Sequence, residues 1–226
     1  MQHTRLSAAN LRKKNMTPKK TAVASSDKVE LVRIPELDIQ QVQMRLVGDT
    51  PLIMHRWSNK AKEMMRAKQQ KGAKLAKEAK VPEYEFNEAT YFIDREKGVY
   101  GFPVLAIKKC LVTAAVAGDA KMSEMRRAFH IVGDVQTAEG SMSFVHAPKR
   151  IMREDMVRIA MGTADLRYRP EFPEWHIDVN IRFDRRQISV AQIFSLANLA
   201  GFSVGLGEWR VEKSGQSGMF HVEASA

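Results

Sequence analysis

Basic and aromatic side chains recur in short groups along this chain. His55, Arg56, Trp57 and Lys60 open one group, with Arg66 further along it. Lys108 and Lys109 are adjacent, and Arg167 and Arg169 flank Tyr168. Trp209, Arg210 and Lys213 stand among Gly205, Gly207, Gly215 and Gly218, and Arg45 sits on the polar side of an alternating run. Ammonium and guanidinium groups neutralise phosphates, and rings stack on bases. Glycines let a backbone approach another backbone or a phosphate. Covalent chemistry has no comparable support. There is no P-loop, no H-E-x-x-H, no C-x-x-C and no G-x-S-x-G. The stretch G-L-G-E-W-R has no βαβ start and a misplaced third glycine, so it is not a dinucleotide fingerprint. His3, His55, His130, His146, His176 and His221 lack metal-ligand spacing in sequence. Asp49 and His55 fall near one strand end, without a third partner for acid–base work. No catalytic residue, metal or cofactor is expected.

The charge balance agrees with a polyanionic partner. Lysine and arginine number 36 against 26 acids, a formal net charge of +10. Nucleic acid fits first and an acidic membrane surface second. With 226 residues and 44% hydrophobic content the chain can build a substantial core. Cys110 is the single cysteine, in an apolar helical context, so it reads as a buried thiol in a reducing compartment. No apolar run reaches the ~20 residues that span a bilayer, and no signal-peptide core opens the chain. A soluble intracellular protein is expected.

The elements that must position these groups are legible in part. Residues 1–28 carry Arg5, Arg12, Lys13, Lys14, Lys19, Lys20 and Lys28 against Asp27, and read as a basic flexible arm. Residues 29–226 read as one domain. Its first strand is Asp38 to Gly48, where Val42, Met44 and Leu46 alternate with Gln41, Gln43 and Arg45. Residues 55–100 read as an inserted segment: a polar helix from Ser58, then a linker from Pro82, then a hairpin around Asp94–Lys97. From Arg56 to Lys80, the basic residues Arg56, Lys60, Lys62, Arg66, Lys68, Lys71, Lys74, Lys77 and Lys80 face only Glu63 and Glu78. Such a helix buries little, and its one-signed charge suits a phosphate backbone. Pro103 opens an apolar helix that ends near Gly118. Residues 119–128 suggest a short helix, and 129–135 and 141–146 short strands. Residues 151–161 are ambiguous between strand and turn, and 162–173 read as a loop. Trp175 to Phe183 alternates most cleanly, with Ile177, Val179, Ile181 and Phe183 on one side. Ser189 caps a helix to Gly201, followed by the glycine-rich loop and a last strand from Met219. Without the insertion the order is βαββαβ, the ferredoxin-like pattern. The expected class is α+β: an antiparallel sheet with two packed helices and a basic helical insertion.

Three stretches carry a resemblance. T-P-L-I-M-H after the first strand, F-P-V-L-A-I-K-K-C-L at the first buried helix, and G-L-G-E-W-R-V-E-K-S-G-Q-S-G-M-F-H-V before the last strand are similar to the RAMP superfamily. That superfamily includes the backbone subunits of CRISPR effector complexes and their relatives in phages and mobile elements. The resemblance implies a ferredoxin-like, RRM-related core with a helical insertion, in a single RAMP-like domain over 29–226. It implies binding of single-stranded RNA by copies stacked along the strand. By position, Lys108 and Lys109 would sit near that strand, and Arg210, Lys213 and Trp209 would face its backbone or a neighbouring copy. His55 to Lys60 would begin the part of the insertion that touches nucleic acid. The chain is small for a full backbone subunit, which fits a solitary or phage-borne relative in the cytoplasm of a bacterial cell.

The expected function is non-catalytic binding of single-stranded nucleic acid, RNA before DNA, by a homo-oligomer assembled along the strand, away from membranes. Two alternatives stand beside it. One is a metal-independent endoribonuclease of the crRNA-processing type using His55. The other is a phage assembly protein whose arm neutralises packaged nucleic acid.

Overall fold

The two cleanest alternations in the sequence pair with each other. In the computed structural model, which describes residues 34–70, 80–118, 120–158 and 164–224, strand β1 (Ile39–Gly48) lies antiparallel to β10 (His176–Asp184). Met44 is opposite Val179, and Leu46 is opposite Ile177. Strand β11 (Phe220–Ala224) joins the other edge of β1, and β5 (Phe129–Val132) the other edge of β10. The resulting sheet is antiparallel throughout, in the order β11-β1-β10-β5. A one-residue slip would turn every apolar side chain to the wrong face, so the register is set by burial.

The inward face carries Met44, Leu46, Ile177, Val179, Ile181, Phe183, Phe129 and Phe220, all buried. Helices α3 (Val104–Ala114) and α5 (Val190–Ser203) contribute to the same core. Ile107, Cys110, Leu111 and Ala114 enter from α3, and Ile193, Leu196, Ala197 and Ala200 from α5. Pro103 starts α3, and Ser189 with Gln192 forms a capping box on α5. The Cys110 thiol lies 3.3 Å from the Gly205 carbonyl, and burial pushes its pKa up to about 12. It is packing material rather than a nucleophile.

Two further antiparallel sheets fill the intervals. One runs β3 (Phe92–Asp94), β4 (Val99–Pro103), β7 (Gly140–Val145), β6 (Val135–Thr137). The other runs β2 (Leu52–Ile53), β9 (Ala164–Phe172), β8 (Ile151–Arg158). Helices α1 (Asn59–Gln69), α2 (Pro82–Glu88) and α4 (Met122–Ala128) complete the described α-helices, and short 3-10 turns cover Ala115–Gly118 and Val211–Lys213. The protein is thus mixed α+β with antiparallel sheets. The chain divides into units Met1–Glu36 and Leu37–Ala226, and these elements belong to the second. The basic arm over 1–28 and the lysines at 71, 74 and 77 lie outside the described residues.

Two segments differ from the sequence reading. The interval read as a loop over 162–173 contains β9. Its prolines argue for irregular chain, but β8 supplies a partner along its length, with Arg153 opposite Arg169 and Asp155 opposite Arg167. Pro170 still offers its carbonyl, which accepts from Met54 N–H at 3.1 Å. The interval read as a linker after Pro82 is α2. Pro82 opens it and Glu83 and Glu85 occupy its first turn, but it is too short to show a period.

The glycine-rich loop is held by backbone packed on backbone. Gly218 has φ +68, and a Cβ there would run into the Leu206 carbonyl. Gly218 N–H donates to the Pro51 carbonyl at 2.9 Å. Gly218→Ala is expected to destabilise the domain by about 3 kcal/mol, from left-handed strain plus overpacking. Urea unfolding measures it, and an unchanged midpoint would show that the loop can move aside.

Candidate nucleic-acid interface

The chain leaves β1 at Gly48, where a Cβ would meet the Trp175 indole. That indole donates to the Thr50 carbonyl at 2.9 Å and fixes the turn. Met54 is buried, and the chain surfaces at His55, Arg56 and Trp57. Ser58 accepts from Ala61 N–H at 3.2 Å and starts α1, which buries none of its residues. Helix α2 packs on β9 and turns Phe86 and Glu88 inward. Between α1, α2 and β9 lies a groove of about 680 Å³.

Rings line this groove. Trp57 is 57% exposed and Tyr84 50%, and Tyr168 joins them. Met64 and Met65 add soft apolar surface, and Lys60, Lys80 and Arg167 add positive charge. Exposed rings beside cations suit stacked bases on a phosphate chain.

Acids offset part of that charge. Arg56 donates from Nη1 to Glu88 Oε2 at 3.1 Å and from Nε to Glu139 Oε1 at 2.7 Å. Lys62 also reaches Glu139, at 3.0 Å. Asp165 takes Lys80 at 2.6 Å and Arg167 at 3.0 Å. Arg169 is buried and pairs with Asp155 at 3.2 Å. Asp155 also accepts from Arg153 at 2.6 Å and from the Trp209 indole at 3.3 Å. Arg169 and Trp209 are therefore built into the groove's support, and Arg169 does not offer its charge to a ligand.

Of the residues singled out in sequence, His55, Arg56, Trp57, Lys60, Arg167 and Arg169 meet in this groove. Lys109 and Arg210 line an adjoining pocket of about 240 Å³ that shares His55. Arg66 is exposed on α1, and Lys213 is exposed in the turn after Arg210. Two residues lie elsewhere. Arg45 is on the polar face of the first sheet, where Asp178 holds it at 2.7 and 3.0 Å. Lys108 donates to the Arg126 carbonyl at 2.8 Å and lies 3.1 Å from His130 Nδ1, and burial lowers its pKa.

The glycine-rich loop is braced against Ile53, and its Arg210 is paired within the loop. Arg210 closes on Glu212 at 2.7 Å and on the Gly207 carbonyl at 3.0 Å. Glu208 N–H donates to the Ile53 carbonyl at 2.9 Å, bringing its carboxylate to 3.4 Å from His55 Nδ1. The hydrogen bond from His55 holds the Glu208 carboxyl below its ordinary value, against its own burial. Asp49 is not with His55, but pairs with His221 at 2.6 Å. The sequence reading missed Tyr84 and the acids Glu88, Asp165 and Glu208. Tyr84 stands two residues before Phe86, which on a helix turns the two side chains to roughly opposite sides, so the burial of Phe86 leaves Tyr84 facing out.

Among the described residues, no helix is long and apolar enough to cross a membrane. No protein-family model and no curated protein matches the chain. Among solved structures it is similar to Cmr6 from Pyrococcus furiosus, at 12% identity and a TM-score of 0.40, over 83% of this chain and 100% of that one. It is also similar to a chain from the Type III-B Cmr-beta structure bound to cognate target RNA, at 9% identity and a TM-score of 0.47, over 82% of this chain and 59% of that one.

Proposed function

We propose that this protein binds single-stranded nucleic acid without cleaving it, RNA in preference to DNA, as copies set side by side along the strand. The observation that carries the proposal is the groove, where the half-exposed Trp57 and Tyr84 share the lining with Lys60 and Arg167. The resemblance of three sequence stretches to the RAMP superfamily supports it. So does the order β1, α3, β5, β10, α5, β11, which we read as a ferredoxin-like core carrying the insertion.

Fluorescence anisotropy with oligo-U and oligo-dT tests the proposal. Neutralising about four phosphates gives a slope of about −3 in log affinity against log salt, so a fourfold rise in salt should cost about fiftyfold. Absence of binding to either strand at low salt would overturn the reading, and equal affinity would remove the preference for RNA.

A second reading rests on the His55–Glu208 pair at the groove mouth. A histidine oriented by a carboxylate can move protons at a phosphodiester. Cleavage of hairpin RNA that is lost in His55→Ala would favour a metal-independent endoribonuclease over a binding protein.

A further inference from the structure

The polar face of the first sheet holds a cluster that the groove does not use. His146 follows β7 and His176 opens β10, and the two form an isolated bridge between different sheets. Each backbone N–H donates to the other's carbonyl at 3.0 Å. The bridge sets the two imidazoles face to face, with centroids 4.7 Å apart and planes 10° from parallel. Asp178 lies two residues along β10, so it projects from the same face. One ligand atom from each of the three lies within 4.8 Å of the other two.

A zinc-class ion with bonds of about 2.0–2.2 Å needs its ligand atoms about 3–4 Å apart. An imidazole holds an ion in its own ring plane, so binding turns the exposed His146 ring out of its stack on His176 and draws the three ligand atoms together. Among the described residues neither imidazole makes a side-chain hydrogen bond, so their nitrogens are available. Arg45 grips Asp178 through both carboxylate oxygens, at 2.7 and 3.0 Å. Each oxygen keeps a further lone pair, so the guanidinium orients the carboxylate without using it up. His146 is exposed, and a cavity of about 530 Å³ beside the cluster gives an ion its way in.

We propose that His146, His176 and Asp178 bind a divalent transition-metal ion of the zinc class, and that this ion clamps the end of β7 to β10. Two imidazole nitrogens and one carboxylate oxygen favour such an ion over magnesium or calcium, which prefer all-oxygen shells. Thirty residues separate the two histidines, which is why spacing along the chain gives no sign of the site.

The test uses tag-free, EDTA-treated full-length protein titrated with zinc by calorimetry and with cobalt by visible absorption. One equivalent should bind at about 1 μM or tighter. Cobalt should give the visible bands of a four-coordinate nitrogen–oxygen site. Saturating zinc should raise Tm by roughly 5 °C. His146→Ala, an exposed change that leaves packing intact, should weaken binding at least tenfold, as should Asp178→Asn. His221→Ala, on the same face but outside the cluster, should change nothing. Loss of zinc binding in His221→Ala, full affinity in His146→Ala and Asp178→Asn, or no zinc binding by the parent protein would each overturn the site. Nucleic-acid affinity is a separate readout and decides nothing here.

Discussion

Trp57→Ala combined with Tyr84→Ala is expected to weaken single-strand binding by about thirtyfold or more. Each stacked base is worth ~1–3 kcal/mol, and two such contacts sum to at least ~2 kcal/mol. Both side chains are about half exposed, so the fold should survive their loss. Neither carries charge, so the salt slope should stay as it is in the parent protein. Arg66→Ala makes the complementary case: a modest loss of affinity, with the slope lower by about 1 if Arg66 meets a phosphate. Anisotropy at four or more salt concentrations separates the two. An unchanged affinity in the double aromatic variant would mean that the strand does not use the groove.

Arg56→Gln is expected to cost the folded domain about 2–3 kcal/mol. The side chains of Arg56 and Glu88 are 16% and 11% exposed, so the remaining carboxylate would stay largely out of water. The figure lies below the ~3–5 kcal/mol of a fully buried pair because Arg95 still reaches Glu88, at 3.3 Å. Burial pushes the Glu88 carboxyl up, but Arg56 and Arg95 outweigh it and hold it below the ordinary carboxylate value. A folded-state value below the unfolded one adds stability that is present at neutral pH and lost as pH falls through the folded value. Removing Arg56 raises the folded value, so parent and variant should differ most at pH 7. The gap should shrink as pH drops below about 4, where the carboxyl is protonated in the unfolded chain. Urea midpoints at three pH values measure it. A gap that stayed constant across that range would assign the effect of Arg56 to packing instead of charge.

Both expectations depend on a contrast between local and distant information. The alternation of Met44 and Leu46 with Gln43 and Arg45 is local, and so is that of Ile177, Val179 and Ile181 with Asp178 and Asn180. Each strand was legible because a half-buried strand repeats every two residues. The N-cap serine at 189 and the proline before α3 were legible because helix-start signals are local too. Helix α2 and strand β9 were not. Seven residues are too few to show a helical period, and the charged, proline-containing β9 becomes a strand only because β8 lies beside it.

The candidate site shows the same division. Side-chain type alone marked His55, Trp57, Lys60 and Arg167 as groups suited to a nucleic acid, and folding brings them to one groove. Several of the acids that meet the positive charge come from other segments: Glu139 and Glu88 to Arg56, Asp155 to Arg169, Glu208 to His55. No spacing rule reaches such pairs.

Composition and periodicity determined that this chain is basic, builds an α+β core from alternating strands and two apolar helices, and carries a strongly basic stretch from Arg56 to Lys80. Those properties belong to residue type and to the near neighbours that share a strand or helix face. The tertiary structure alone decided which cations remain available and which are neutralised, that the glycine-rich loop braces Ile53 and Glu208, and that His146 stands against His176. The physical reason is that charge pairing and ligand geometry act over a few ångströms of space, between residues that the chain itself holds tens of positions apart.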